Sequence, residues 1–389
     1  MEARRQMMIR YGLSLVLGAL AMVAAVIAAQ HGVNPGTSVP LARMPGEFEP
    51  VESILMTHHL FGERYGGLAI ARAALAAGAN VKIIAGATDG IGVDTAAWLT
   101  ALGFSSEEHA RIQVLPIPVD TQWVRDYGPV LVMGAQQRLR FVDGVYPHDA
   151  DLDDAFTGAL AKMMGVDDEP MPLYMDGGNL LSDGKRCYMS APRAKAEIVP
   201  LADPNAVPKI DARAAIHDAY TARLGCTTIA WIEQPPHEHI DMYAKIVTPD
   251  TVLVGEVTDR TLALFRDEDG QVPLVFRELK ESLDGVANQL SAYLKVVRIP
   301  APVPFRGTLR NFTNALLVNG KAIVPSFASY GFDYDEYPDK ELEAYYEAEV
   351  RKVYSGVGFD VVFVNADALI HNGGALHCVA LQIPRVRTL

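Results

Sequence analysis

Three segments that lie far apart in this chain carry residues suited to attack on a planar, cationic carbon. Cys378 lies near the C-terminus, His239 and Asp241 lie well upstream, and Asp126 lies further upstream still. A cysteine thiolate is a strong nucleophile, a histidine can protonate a leaving group, and carboxylates hold a cation in place. A guanidinium group is planar and cationic, and paired carboxylate oxygens in its plane bind it well. These residue types therefore indicate chemistry at a guanidinium carbon.

The order of bond changes follows from the same residue types. As a thiolate, Cys378 would attack the guanidinium carbon, ammonia would leave a covalent thiouronium intermediate, and water would release the ureido product. His239 would protonate the departing nitrogen; because it lies two residues before Asp241, an extended segment would place both side chains on one face. His237 is the alternative acid. The structural alternatives are a buried inert cysteine, a packed histidine and an aspartate paired with a neighbouring arginine.

The chain has three cysteines, Cys187, Cys226 and Cys378. An odd number leaves at least one thiol unpaired, and the spacing is not that of a disulfide scaffold or a zinc site. We expect the unpaired thiol to be Cys378. We expect Cys187 and Cys226 to be small buried hydrophobic residues, because most inert cysteines lie in apolar surroundings.

Length and charge restrict the class of protein and its partners. The distant motifs must converge in one site, which favours one large catalytic unit within the 389 residues. The formal net charge of -13 argues against nucleic acid as a partner and favours a cationic ligand. No metal-ligand spacing or Gly-rich phosphate loop is present, so we expect no metal and no cofactor. Acidic residues at 149–154 and 333–336 could hold calcium, although we expect solvated loops there. The sequence makes no prediction of oligomeric state.

The first 40 residues differ in composition from the rest. Arg4, Arg5 and Arg10 precede an uncharged apolar run at residues 11–29, and a linker rich in Gly, Pro and Ser follows at 32–40. This order predicts an export signal or a single membrane anchor, with the arginines on the cytoplasmic side. We therefore expect a targeting segment and linker at 1–40 and one catalytic domain at 41–389. The predicted location is periplasmic or extracellular, with contact to a membrane only through the N-terminal segment.

Short β-branched runs alternate with helical patterns, which predicts an α/β fold. The predicted strands are Ile54–Thr57, Val81–Ile84, Ile112–Leu115, Pro129–Val132, Val252–Val254 and Val361–Val364. The predicted helices are Ala69–Ala77, Ala155–Met164, Ala212–Leu224, Gly285–Leu294 and Asp339–Tyr354. Candidate site segments begin near positions 123, 176, 239, 314 and 378. Gaps of about 50 to 75 residues between them indicate a repeated structural unit, each copy delivering one loop to a shared centre.

Six segments together resemble the agmatine deiminase and bacterial (Porphyromonas-type) peptidylarginine deiminase group of the guanidino-group modifying superfamily. They are Met44–Pro50, Trp123–Pro129, Asp176–Asn179 followed by Asp183-Gly184, His239–Asp241, Asn314 through Asn319-Gly320, and Gly373–Cys378. Each motif is weak alone, whereas their order and spacing from about residue 44 to 384 are specific. The resemblance implies a five-bladed, pseudo-symmetric α/β propeller, the pentein fold, with the active site in its central channel.

The resemblance also implies two sets of site residues. The catalytic set is Cys378, His239, Asp241, Asp126 and Asn314, in which Asn314 supports the site near the nucleophile by hydrogen bonding. The substrate-binding set is Trp123, Arg125, Asp176 and Gly374. Asp176 occupies a position where agmatine deiminases typically have glutamate, so simple agmatine specificity is not implied.

We expect a hydrolytic deiminase that acts on peptidyl-arginine or on an agmatine-like guanidine. In the bacterial peptidylarginine type, two arginines after a Val-Asp strand capture the C-terminal carboxylate of the substrate. The matching stretch here, Val142–Ala150, lacks them and is acidic, which favours a decarboxylated or internal-arginine substrate. Two alternatives remain. One is an amidinotransferase, in which an amine resolves the intermediate, and the other is a non-catalytic propeller that binds a cationic partner.

Overall fold

The computed structural model describes residues 42–62, 65–86, 94–134, 138–146, 148–191, 212–264, 269–304, 308–328 and 340–386. The predicted targeting segment at 1–40 and the acidic residues at 333–336 lie outside these ranges. Within them, no helix combines the length and apolar character needed to cross a membrane. The described residues from 42 to 386 cluster as one compact unit.

Sixteen strands in the described ranges form five separate sheets. They are β1 Val51–Thr57, β2 Asn80–Ile84, β3 Ile112–Leu115, β4 Val130–Met133, β5 Leu139–Val145, β6 Asp167–Tyr174, β7 Leu181–Ser182, β8 Cys187–Ser190, β9 Ile229–Ile232, β10 Ala244–Thr248, β11 Thr251–Glu256, β12 Lys295–Pro300, β13 Leu316–Val318, β14 Lys321–Ser326, β15 Asp360–Asn365 and β16 Ala380–Pro384. Every predicted strand coincides with one of these, and Ile112–Leu115 matches residue for residue.

Helices cover the crossovers between strands. They are α1 Gly67–Ala76, α2 Thr95–Ala101, α3 Ser106–His109, α4 Val124–Tyr127, α5 Asp151–Asp154, α6 Phe156–Met164, α7 Ala212–Leu224, α8 Asp259–Leu264, α9 Leu274–Leu290, α10 Lys340–Gly356 and α11 Asp367–Ile370, with 3-10 turns at His58–Phe61, Gly177–Asn179 and Ile240–Met242. The predicted helix Gly285–Leu294 is wrong in its bounds. The helix begins eleven residues earlier because Phe276, Leu279 and Leu283 continue its buried face, and it ends at Leu290.

All five sheets repeat one pattern. In β4-β5-β6, β7-β8-β9, β10-β11-β12 and β13-β14-β15, an antiparallel pair is followed by a parallel strand. In the fifth sheet, β16 pairs antiparallel with β1, and β2 and β3 add in parallel. A parallel strand requires a long crossover, and a helix lies in each crossover. The α/β class and the repeated unit are therefore confirmed.

Buried helical faces attach these crossovers to the sheets. In α10, Leu342, Tyr346, Val350 and Tyr354 recur every four residues, which places them on one face of the helix. All four are buried in one apolar cluster with strands β14 and β15. The site segments are held by this scaffold, because each one lies directly before the antiparallel edge strand of a sheet.

That position is the same in all five sheets. Asp126 precedes β4, Asp176 precedes β7, Asp241 precedes β10, Asn314 precedes β13 and Cys378 precedes β16. Because equivalent ends of a repeated unit carry these residues, rigid strands determine the backbone positions of the site.

The cysteines correct one expectation. Cys378 is free, as predicted, but Cys187 and Cys226 form a disulfide with a Cα–Cα distance of 5.5 Å. Cys187 begins β8, and Cys226 follows α7 and precedes β9, the parallel neighbour of β8. The crossover therefore brings together two thiols that are 39 residues apart. Their apolar surroundings are as expected, but they are not unpaired residues.

Candidate active site

Cys378 lines a cleft of about 430 Å³ in which most of the predicted site residues meet. Trp123, Asp126, His239 and Gly374 line the same cleft. The thiol is nearly inaccessible, since Cys378 is 4% exposed. The cleft therefore joins residues from the loops before β4, β10 and β16.

Three side chains contact the sulfur of Cys378, and one of them is Met242, whose Sδ lies 3.8 Å away. The amide Nδ2 of Asn314 lies 3.3 Å from Sγ, and Oδ2 of Asp241 lies 3.7 Å from it. Asn314 is held by the backbone, because its Oδ1 accepts a hydrogen bond of 2.9 Å from the backbone N–H of His377. Burial raises the pKa of the Cys378 thiol well above its usual value, and the charges of Asp241 and Asp126 raise it further. The free protein therefore favours the neutral thiol.

His239 lies between two carboxylates. Its Nε2 is 2.9 Å from Oδ2 of Asp176, and its Nδ1 is 3.7 Å from Oδ1 of Asp126. Burial opposes a charge on the ring, but Asp176 and Asp126 outweigh it and raise the pKa of His239 to about 10. Burial likewise raises the pKa of Asp126 well above its usual value, and the neighbouring Asp176 adds to this. His239 therefore carries a proton at neutral pH.

The predicted extended geometry of the His239 segment is wrong. His239 is extended, with φ -91° and ψ 125°, but Ile240–Met242 is a 3-10 turn. Two backbone hydrogen bonds close this turn: the N–H of Met242 donates to the carbonyl of His239 at 3.3 Å, and the N–H of Tyr243 donates to the carbonyl of Ile240 at 3.2 Å. His239 consequently faces Asp176, whereas Asp241 faces the sulfur. His237 also lines the cleft, and its Nδ1 accepts a hydrogen bond of 3.0 Å from the backbone N–H of His239.

Two glycines allow the backbone to approach the reactive groups. A Cβ atom at Gly178 would lie 2.5 Å from Nδ1 of His239 and 2.6 Å from Oδ1 of Asp126. A Cβ atom at Gly374 would lie 2.6 Å from the ring of Trp123 and 3.1 Å from the sulfur of Cys378. Gly374 is a predicted substrate-binding residue, whereas Gly178 lies within the Asp176–Asn179 motif but is not among the predicted site residues.

Arg125 is not in the lining of the cleft. Its guanidinium donates to the side chain of Gln382 and to the carbonyl of Ala380, the latter at 3.0 Å, and pairs with Glu47 at 3.0 Å. Its backbone N–H donates to the carbonyl of Cys378 at 3.2 Å. These contacts attach the loop before β4 to β16. The geometry does not support the predicted contact between Arg125 and a substrate.

His377 and Glu47 were not predicted as site residues, yet they lie directly behind Asp241. Nδ1 of His377 is 2.7 Å from Oδ2 of Asp241, and its Nε2 is 2.8 Å from Glu47. His377 pairing lowers the pKa of Asp241 below its usual value against the opposing effect of burial. Glu47 lies in the motif Met44–Pro50 and His377 lies in the motif Gly373–Cys378, and both motifs carry the family resemblance. Membership of these motifs was the sequence signal that could have identified the two residues.

The charge of the cleft favours a cation. Its lining includes Asp126, Asp149 and Glu238, and no lysine or arginine belongs to the described part of that lining. Asp126, Asp176 and His239 offer ligand atoms within 4.8 Å of one another, a spacing that a metal ion could use. Here Asp176 pairs with the imidazole, and Asp126 accepts a hydrogen bond of 3.2 Å from the backbone N–H of Gly178. The three groups thus satisfy one another as a charge network.

Comparison with known proteins gives a consistent result. Residues 43–384 match the model of the Porphyromonas-type peptidyl-arginine deiminase family. A Photobacterium profundum protein, provisionally named an agmatine deiminase, is 26% identical over 379 residues, covering 88% of this chain and 96% of the relative. The structure of an Enterococcus faecalis agmatine deiminase aligns with TM-score 0.65 and 18% identity over 90% of this chain and 99% of that one. Substrate-bound C. jejuni agmatine deiminase aligns with TM-score 0.63 and 16% identity over 92% of this chain and 100% of that one. At such identities, the two structures indicate a shared fold.

Proposed function

The chain belongs to the Porphyromonas-type peptidyl-arginine deiminase family, and from this premise we propose that it converts an arginine-type guanidinium to a ureido group and ammonia through a covalent Cys378 intermediate. Family membership makes it a hydrolase that acts on the carbon–nitrogen bonds of amidines. One observation carries the mechanistic proposal. Cys378, His239 and Asp126 line one cleft, and Oδ2 of Asp241 lies 3.7 Å from the sulfur of Cys378, although these residues come from different loops.

Two carboxylates are suited to hold the guanidinium. Asp241 is 0% exposed, and its Oδ1 has no hydrogen-bond partner among the described residues. A buried carboxylate oxygen without a donor costs free energy, which a guanidinium N–H would recover. Asp126 offers a second carboxylate in the cleft lining. A cation between them also lowers the pKa of Asp126, because an opposite charge favours the ionised form.

The covalent step follows from the position of the sulfur. The Cys378 thiolate forms a bond to the guanidinium carbon, and the π electrons of the carbon–nitrogen bond move to nitrogen. Imidazolium His239 gives its proton to the departing nitrogen, the carbon–nitrogen bond breaks, and ammonia leaves a thiouronium on Cys378. Water, deprotonated by the now neutral His239, adds to this carbon and displaces the thiolate. The hydroxyl proton of the collapsing adduct passes to the released ammonia, so the products are the ureido compound and ammonium, and atoms and charge balance.

The high pKa of the thiol fits a substrate-assisted reaction. In the free protein, burial and the nearby Asp241 and Asp126 disfavour a negative charge at Cys378. A bound guanidinium places a positive charge beside the sulfur and stabilises the thiolate. Asn314 donates to the sulfur at 3.3 Å and also favours the thiolate. The nucleophile is thus generated where substrate is present.

The five sheets support a five-bladed, pseudo-symmetric propeller as their arrangement. Each repeats one pattern of strands, and β16 from the C-terminus completes the sheet that begins with β1. Closure of the N-terminal sheet by the last strand is typical of closed repeat architectures, which leave only short, protected strand edges. The five site segments would then surround a central channel.

The cleft favours a substrate whose far end is not a carboxylate. Asp149 and Glu238 line it, and the described lining contains no lysine or arginine to pair with a carboxylate. A decarboxylated guanidine such as agmatine, or an arginine inside a peptide, matches this charge. Agmatine is the named substrate class of the relatives with similar sequence or fold.

Location outside the cytoplasm is part of the proposal. Residues 11–29 form an apolar run after three arginines, as in export signals and membrane anchors. The Cys187–Cys226 disulfide supports the same location, because stable disulfides are rare in reducing compartments.

The test offers the purified protein four substrates in parallel: agmatine, free arginine, an internal-arginine peptide and a peptide with C-terminal arginine. We expect equal amounts of ureido product and ammonia from agmatine or from the internal-arginine peptide. We expect lower rates from the two substrates that carry a carboxylate near the guanidine. Transfer of the amidino group to an added amine would identify an amidinotransferase. No product from any of them, with the protein folded, would contradict the proposal and favour a non-catalytic binder of cations.

A further inference from the structure

His377 and Glu47 form a buried bridge behind Asp241. His377 contacts Oδ2 of Asp241 through Nδ1 at 2.7 Å and both carboxylate oxygens of Glu47 through Nε2 at 2.8 Å. Glu47 is held in turn by Nζ of Lys245 at 2.8 Å and by Nη1 of Arg125 at 3.0 Å. His377 and Lys245 are 0% exposed and the Glu47 side chain is 14% exposed, so water has little access to these contacts. Two cations therefore anchor Glu47, and Glu47 anchors the imidazole.

The two oxygens of Asp241 have different environments. Oδ2 faces His377 and lies 3.7 Å from the sulfur of Cys378. Oδ1 is buried without a hydrogen-bond partner in the described part of the chain. Since the two oxygens belong to one planar group, the direction of Oδ1 depends on what holds Oδ2.

We propose that His377, anchored by Glu47, is a positioning residue that orients Asp241 for guanidinium binding. The inference rests on the proposed function, because it assigns the support of the same cation site. An N–H at Nδ1 occupies Oδ2 and leaves Oδ1 directed at the ligand. Without that donor, Oδ2 would keep only its longer contact of 3.7 Å with the thiol of Cys378, and Oδ1 would lose its fixed direction.

A purely structural role for the bridge predicts a different result. Removal of one partner from a buried charge pair destabilises the fold, because it leaves the other charge uncompensated. A structural bridge would therefore lower the free energy of unfolding in any variant that breaks it, while folded molecules would keep their affinity for guanidinium. A positioning role requires that affinity falls when the donor to Asp241 is removed.

The test compares His377→Asn with His377→Gln in the full-length protein. Both substitutions introduce the same amide, but asparagine places its nitrogen near the position of Nδ1, facing Asp241, and glutamine places it near Nε2, facing Glu47. The probe is methylguanidinium, which carries the cation without a distal group. The readout is the concentration that halves the rate of alkylation of Cys378 by iodoacetamide. This readout needs no turnover and does not depend on the identity of the natural substrate.

We expect the protecting concentration to rise roughly tenfold or more in His377→Gln, as for loss of a hydrogen bond to a charged group. In His377→Asn it should stay within about threefold of wild type. Arg186→Leu is the control. It removes the ion pair between Arg186 and Asp183, and neither residue lines the cleft, so the protecting concentration of methylguanidinium should not change.

Equal protection in the two His377 variants would overturn the inference. A tenfold loss in His377→Asn would overturn it as well, even if the glutamine variant did not fold. Absence of protection in the wild-type protein is a separate outcome, which would contradict the guanidinium site of the proposed function itself.

Discussion

Adding a single methyl group at Gly178 should displace the reactive groups of the site while the protein remains folded. In Gly178→Ala the new Cβ would lie 2.5 Å from Nδ1 of His239 and 2.6 Å from Oδ1 of Asp126. An ordinary contact needs about 3.4 Å, so each atom must move by roughly 0.8 to 0.9 Å. A displacement of about 1 Å in a catalytic group can cost on the order of a hundredfold in rate. We therefore expect kcat/KM to fall about a hundredfold in a protein that remains folded.

The assay is ureido-product formation from the best substrate, with circular dichroism as the measure of folding. The matched control is Gly285→Ala in the middle of helix α9, where an added Cβ meets nothing within 4 Å. That variant should keep full activity and gain up to about 1 kcal/mol of stability, because alanine favours a helix over glycine. If Gly178→Ala kept kcat/KM within about threefold of wild type, the close approach of His239 and Asp126 to the backbone would have no role in catalysis.

Three further predictions follow from the charges and from the disulfide. The double variant Cys187→Ser/Cys226→Ser, which opens a link across 39 residues, should lose about 3 to 4 kcal/mol of unfolding free energy in urea denaturation and keep its kcat; an unchanged midpoint would contradict this. Asp176→Asn should shift the alkaline limb of the pH–kcat/KM profile to lower pH. If His239 is the acid, this limb lies near pH 10 in the wild-type protein, because Asp176 raises the pKa of His239 and the acid must be protonated to act. An unmoved limb would exclude His239 as that acid. Asp241→Asn should abolish turnover yet speed iodoacetamide alkylation of Cys378 at pH 8, since removal of a negative charge lowers the pKa of the thiol. Slower alkylation would contradict the conclusion that Asp241 raises this pKa.

Much of the fold followed from local patterns. The regular spacing of the five site segments predicted a repeated unit, and each segment does lie before the antiparallel edge strand of a sheet. The predicted helix begins too late at Gly285, because Phe276, Leu279 and Leu283 extend the buried face of α9 toward its N-terminus. The Cys187–Cys226 pair was missed for a different reason: it depends on a crossover that makes β8 and β9 neighbours, and two isolated cysteines carry no trace of that contact.

The site was predicted as a set of residue types better than as a geometry. Cys378, His239 and Asp126 do meet in one cleft, because their motifs precede equivalent strands. The direction of a side chain is a property of tertiary packing, and this is where sequence reasoning failed. Arg125 is adjacent to Asp126 but is directed to Gln382 and Glu47, and Glu47 reaches His377 across 330 residues.

The central claim is that Cys378 forms a covalent intermediate during hydrolysis of a guanidine. Its most direct test is the rate of ureido-product formation by Cys378→Ser beside the wild-type protein, at equal concentration and with folding verified. The account predicts a loss of roughly a thousandfold or more, since removal of a catalytic nucleophile abolishes the covalent path. Turnover by Cys378→Ser within about tenfold of wild type would contradict it.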